Sequence, residues 1–117
     1  MIIFLHGEDS YRRGAKLSDV VQQYRAKHAQ MDMKEFDLEE NPEDWVKAKD
    51  FLEQPSMFVE AKLLVVKEAD SVDTKEWVAA LKREINAEKI FVVVVNAKKP
   101  IAKLKFLIEK AHTKYAF

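Results

Sequence analysis

Two carboxylates stand side by side at Glu8 and Asp9, just after the apolar run of residues 2–5 and a glycine at Gly7. Paired carboxylates at the end of a strand suit a hard cation, and a magnesium ion held there would serve phosphotransfer chemistry. The simpler reading has Asp9 or the adjacent Ser10 capping a helix, with acids at the positive end of its dipole, and it is the favoured one. The same stretch, Gly7-Glu8-Asp9-Ser10-Tyr11-Arg12-Arg13-Gly14-Ala15-Lys16, occupies the place of a phosphate-binding loop. Such a loop needs G-x-x-x-x-G-K-[ST], with glycines for close backbone approach, lysine for the outer phosphates and a hydroxyl for magnesium. Here six residues separate the only two glycines, Ala15 stands at the lysine position, and Lys16 stands at the hydroxyl position. Two carboxylates in the loop also repel a polyphosphate. Nucleotide binding is not expected.

The remaining reactive groups do not assemble into a pattern. His6, His28 and His112 are far apart in sequence and lack the spacing of metal ligands. Cysteine is absent, so thiol catalysis, disulfides and cysteine zinc sites are all excluded, consistent with a reducing cytoplasm. No G-x-S-x-G nucleophile elbow occurs. Lys98-Lys99-Pro100 reads as a solvated loop entering a helix. The expectation is a non-catalytic domain with no catalytic residues, no cofactor and no metal.

The chain has 117 residues, the length of one domain spanning 1–117. With 48% hydrophobic and 34% charged residues it is globular rather than disordered. Lysine plus arginine and aspartate plus glutamate each number 20, so the net charge is zero. Such a domain lacks the bulk attraction that drives nonspecific nucleic-acid binding, and any role near DNA is expected to be indirect. No secretory signal or membrane-spanning run is present, which points to a cytoplasmic location without membrane association.

Apolar periodicity then supplies the elements that must position these groups. Ile2 to His6 reads as a buried strand. Leu17, Val20, Val21 and Tyr24 recur at helical spacing, and residues 31–38 alternate weakly as an exposed strand. Asn41-Pro42-Glu43-Asp44 is a helix start, with Trp45, Ala48 and Leu52 inward and Pro55 as the stop. Residues 63–66 form a third strand. A cap at Ser71 or Asp73 opens a helix with Trp77, Leu81 and Ile85 inward. Ile90-Phe91-Val92-Val93-Val94-Val95 has no polar face and belongs at a sheet centre covered on both sides. Pro100 is expected to begin a last helix with Ile101, Leu104, Leu107, Ile108 and Ala111 inward, before a strand at residues 114–117. This alternation predicts a three-layer α/β/α domain with a mainly parallel sheet of about five strands. Strand order is not readable from the pattern.

One segment departs from the habits of a connecting link. Links run over the surface and are mostly polar, yet Pro55-Ser56-Met57-Phe58 places two large apolar side chains just before Lys62-Leu63-Leu64-Val65-Val66. Either they fold back to fill the core, or they are anchors for a partner's apolar pocket. Composition alone leaves both open, with core packing slightly ahead.

Along its full length the chain resembles the amino-terminal domain of the delta subunit of bacterial DNA polymerase III, a clamp-loader component. The shared features are the apolar first strand ending in Gly7-Glu8-Asp9 with Tyr11 beyond, and the acidic region at Asp37 before a helix. The most distinctive is Pro55-Ser56-Met57-Phe58 feeding the strand at Lys62, followed by residues 90–95 and a lysine-rich segment before the last helix. The resemblance implies an AAA+/RecA-like core of the P-loop NTPase type that has lost its phosphate loop. It also implies a role in DNA replication: Pro55, Ser56, Met57 and Phe58 contact the sliding clamp (the beta subunit) and help to open the ring. Family members continue into a lid domain and a helical collar that binds the other clamp-loader subunits of the holoenzyme. Neither is present here, so an excised domain is expected. A receiver-like signalling domain, or a magnesium-dependent phosphotransfer domain using Glu8 and Asp9, is the alternative.

Overall fold

The computed structural model describes residues 1–54 and 61–117. Five strands, β1 (Ile2–His6), β2 (Met31–Asp37), β3 (Ala61–Lys67), β4 (Ile90–Asn96) and β5 (Thr113–Ala116), form one sheet in the order β2-β3-β4-β1-β5. Every pairing is parallel. The all-apolar strand β4 is the central one, as its lack of a polar face requires.

Helices cover both faces, but unequally. Leu17, Val20, Val21 and Tyr24 of α1 (Ser10–Lys27) pack on Ile3, Leu5, Leu63, Val65, Phe91, Val93 and Val95. The opposite face, with Ile2, Phe4, Leu64, Val66, Val92 and Val94, packs against α2 (Trp45–Glu53), α3 (Lys75–Arg83) and α4 (Phe106–Glu109). Together these give the expected three-layer α/β/α arrangement. Among the described residues no helix is long and apolar enough to cross a membrane.

Element boundaries differ from expectation where local chemistry competes. Asn41 makes no side-chain cap; Pro42–Asp44 form a 3-10 turn and α2 begins at Trp45. The cap of α3 is Thr74, whose hydroxyl accepts the Trp77 N–H at 3.4 Å, rather than Ser71 or Asp73. Ser71 instead ends a 3-10 turn, Ala69–Ser71. The last helix does not start at Pro100: a 3-10 turn over Ala102–Leu104 precedes a single α-turn, and Ile101 is exposed rather than inward. Ile101 N–H is held by the Asp70 carboxylate at 3.3 Å, which turns its side chain away from the core. Trp77 is fully buried and donates its indole N–H to Ala69 O at 3.0 Å, whereas Trp45 is half-buried at the margin of the same core.

Gly7 closes the sheet against its edge strand. Its φ is +131°, and a Cβ there would sit 2.0 Å from the backbone oxygen of Phe117. The Phe117 N–H donates to His6 O at 2.8 Å, so the chain passes directly over the glycine. Gly7→Ala is therefore expected to destabilise the domain by roughly 2–3 kcal/mol and to speed hydrogen exchange at the Phe117 amide. Urea unfolding with exchange-detected NMR checks both; an unchanged midpoint would mean that the edge strand yields freely.

Candidate functional site

In parallel α/β sheets ligands ordinarily bind at the carboxyl ends of the strands. At that end β1 stops at His6 and α1 starts at Ser10, leaving three residues for the turn. The Gly7 N–H donates to Asn96 O at 3.1 Å, and the Arg13 guanidinium donates to Gly7 O. Asp9 caps α1 by accepting the Arg12 N–H at 3.0 Å, while Glu8 is exposed. The second glycine, Gly14, lies within α1 with open space around it. A phosphate loop needs successive backbone N–H groups curled around the ligand between its glycines; here residues 10–13 of that span are already helix. Lys16 points along the flank, its ammonium 4.4 Å from the Tyr115 ring and 3.4 Å from the Asp19 carboxylate.

Beside this turn, a polar network ties the strand ends together. Fully buried Asn96 accepts the Ala69 N–H through Oδ1 and donates through Nδ2 to Asp70, each at 3.3 Å. Glu68 accepts the Ala97 N–H at 2.7 Å and holds the one left-handed backbone among described non-glycine residues, at φ 53°. Burial pushes its carboxyl pKa up; the Ala97 hydrogen bond opposes this, and Asp70 and Glu39 reinforce it. Next to Glu68 a cleft of about 350 Å3 opens between α1 and the ends of β2 to β4. Its walls carry Arg13 and Lys67 but also Asp37, Glu39 and Glu68, so it does not favour a polyphosphate. Lys67 is paired with Glu35 at 3.2 Å.

The histidines do not converge. His6 stacks on Phe4 with ring centroids 5.0 Å apart; burial, then Lys99 and Lys114, lower its pKa. His28 packs at the end of α1 against Tyr24 and Phe91, and the His112 N–H donates to Ile2 O. Among the described residues no group of three His, Asp or Glu side chains is placed to hold a metal ion.

The other candidate segment precedes β3 in the chain. Pro55, Ser56, Met57 and Phe58 fall outside the described residues; the residues that lead into and out of them do not. On the near side, α2 ends at Glu53, and Gln54 N–H closes the last turn on Asp50 O at 2.9 Å. Glu53 accepts Lys49 at 3.3 Å and Arg83 of α3 at 2.7 Å, and these hydrogen bonds, Lys49 first, lower its pKa. On the far side, β3 begins at Ala61, opposite Met31 of β2, and its pairing with β4 begins at Lys62, opposite Ile90.

Lys62 joins the two sides. It is buried on β3, and its ammonium donates to Phe51 O at 2.7 Å and to Gln54 O. A cation at a helix carboxyl end satisfies carbonyls that the helix cannot, and complements the negative end of its dipole. Burial lowers the Lys62 pKa. The same side chain thus fixes both the last turn of α2 and the first residues of β3. Sequence reasoning did not find this clamp, nor the Asn96 network. In each case the signal was a polar residue within or directly after an apolar strand run, which marks a buried group that must have a partner.

Two substitutions test these assignments. Lys62→Ala strands the α2 carbonyls and is expected to cost roughly 1–3 kcal/mol in urea unfolding; an unaltered midpoint would remove Lys62 as the clamp. For Glu68 the sign follows from its raised pKa. The folded state keeps the carboxyl proton longer than the unfolded chain does, so ionisation costs stability as pH rises above the ordinary glutamate value. Glu68→Gln, which retains an oxygen for the Ala97 N–H, should match the wild type at pH 4 and exceed its stability at pH 7. A Gln variant less stable at pH 7 would reverse the assignment.

No family model matches this chain, and a search of curated proteins finds no matching relative.

Proposed function

We propose that this domain is a non-catalytic protein-binding module of the clamp-loader delta type, docking on a bacterial sliding clamp through Met57 and Phe58. The observation that carries the reading is the apolar pair in Pro55-Ser56-Met57-Phe58, between a helix end and a strand that Lys62 fastens to one another. A binding segment anchored on clamped elements loses less conformational freedom when it docks, which favours affinity. The β1–α1 turn supports the reading from the other end of the sheet, because it lacks the backbone of a phosphate loop.

The receiver-like alternative is disfavoured by topology. Receiver domains have strand order 2-1-3-4-5, whereas β1 here lies between β4 and β5. The third strand also ends in Lys67, where a phosphoacceptor aspartate would stand. The magnesium reading is weakened because Asp9 is engaged as the α1 cap.

On the proposed reading the module acts in the cytoplasm during DNA replication and meets DNA only through the clamp. Lid and collar domains of a full-length subunit would carry the contacts to other loader subunits. Enclosing Met57 and Phe58 contributes about 1.5–3 kcal/mol each. Ring opening follows only if the open clamp is bound more tightly than the closed one, since equal binding shifts nothing. Calorimetric titration of a bacterial sliding clamp should give saturable binding that Met57→Ala/Phe58→Ala weakens by at least about 100-fold. Equal affinity for a double variant with an unchanged circular dichroism spectrum would overturn the proposal.

A further inference from the structure

The outer side of α3 carries a groove that neither the sheet's carboxyl end nor the Pro55–Phe58 segment accounts for. Lys75, Val78, Ala79 and Lys82 recur at i, i+3, i+4 and i+7, so they share one helical stripe. Lys103, in the 3-10 turn before α4, lines the same groove with Asp73. The groove has a volume of about 520 Å3 and a predominantly apolar lining. Its floor is Val78 and Ala79, side chains small enough to admit another backbone closely. The lysine stems extend the apolar surface while their ammonium groups stay in water.

Three cations and one carboxylate surround that floor, and the carboxylate is already engaged. Asp73 pairs with Lys103 at 3.7 Å, with both side chains mostly exposed, so the pair is weak and readily exchanged. The Lys82 ammonium lies 5.4 Å from the Phe106 ring, and Lys75 has no ion-pair partner among the described residues. Small apolar residues between basic banks are complementary to a helix with one aliphatic stripe and acidic flanks.

We propose that this groove binds an acidic amphipathic helix of a partner protein. An aliphatic side chain of the partner rests on Val78 and Ala79, and carboxylates pair with Lys75, Lys82 and Lys103. The site uses other residues than Met57 and Phe58 and stands whether or not the chain binds a clamp.

The probe is a 16-residue peptide with leucine at helical i, i+4, i+7 and i+11 and glutamate at most other positions, titrated into isotopically labelled protein. Saturable NMR shifts should concentrate on residues 75–82 and 102–105, and affinity should fall at least about tenfold between 50 and 300 mM salt. Lys75→Glu/Lys82→Glu, both exposed and outside the core, should reduce affinity at least tenfold with an unchanged fold. Ala79→Arg should do the same by filling the floor. Equal binding by a lysine-for-glutamate peptide or by a leucine-free acidic peptide would overturn the proposal. So would shifts spread over lysines throughout the surface, tighter binding of single-stranded DNA at the same residues, or indifference to both variants.

Discussion

Strand β4 runs Ile90-Phe91-Val92-Val93-Val94-Val95 without a polar face, so water must be excluded from both sides of the sheet centre. Among the described residues helices on both faces supply that cover, and the handedness of parallel crossovers dictates how they divide. From β1 the chain moves across three strand positions to β2; every later step moves in the opposite direction, β2 to β3, β3 to β4, and β4 past β1 to β5. With one hand for all crossovers, a single reversal of direction places α1 alone on its face and α2, α3 and α4 together on the other. The two core clusters divide in this way. One helix must therefore cover what three cover opposite, and α1 is correspondingly the longest, at 18 residues.

Burying the strands so completely makes their ends the difficult places. Where a strand leaves the core, its neighbouring backbone groups still need partners but have little access to water. Two polar side chains meet that need at opposite ends of the sheet. Asn96 serves the carboxyl end, meeting Ala69 and Asp70 across the turns after β3 and β4. Lys62 serves the amino end, meeting the final carbonyls of α2. Both lie at the ends of largely apolar strands, and the buried polar group of each is matched by backbone or carboxylate groups, of the α2 end for Lys62 and of the turn after β3 for Asn96. Among the described residues no buried side-chain nitrogen or oxygen is left without a partner.

The fold class was legible because its signals are periodic and redundant. Three apolar runs, two weaker strand patterns and four helical stripes, with Gly7 and Pro42 at boundaries, tolerate an error in any one of them. The order of the strands was only partly legible: residues 90–95 were expected at the centre, where β4 lies, but nothing in the pattern fixed the places of the other four strands around it. Caps were legible only in part, and Asn41, expected to cap without a competitor, makes no side-chain cap. Asp9 was anticipated beside Ser10, whereas Thr74 was missed because Ser71 and Asp73 offered the same chemistry nearby. Ile101 followed the helical stripe in sequence but lost to a single hydrogen bond from its N–H to Asp70. For the candidate site, the missing phosphate loop could be read from glycine spacing alone, while the Lys62 clamp depends on an approach of α2 to β3 that no local pattern encodes.

The two ends of the sheet differ in the polar groups that the described residues place there. At the carboxyl end, Arg13 occupies the oxygen of Gly7, Asp9 occupies the first turn of α1, and Glu68 and Glu39 line the adjoining cleft with negative charge. Each contact that satisfies this turn internally also occupies a group that an anionic ligand would need. At the amino end, the polar groups flanking residues 55–60 are likewise satisfied, by Lys62, Lys49 and Arg83. The large apolar side chains of that interval, Met57 and Phe58, contribute no polar demand of their own. The described carbonyls of Phe51 and Gln54 and the carboxylate of Glu53 therefore have their partners within the domain itself, whatever the intervening residues contact.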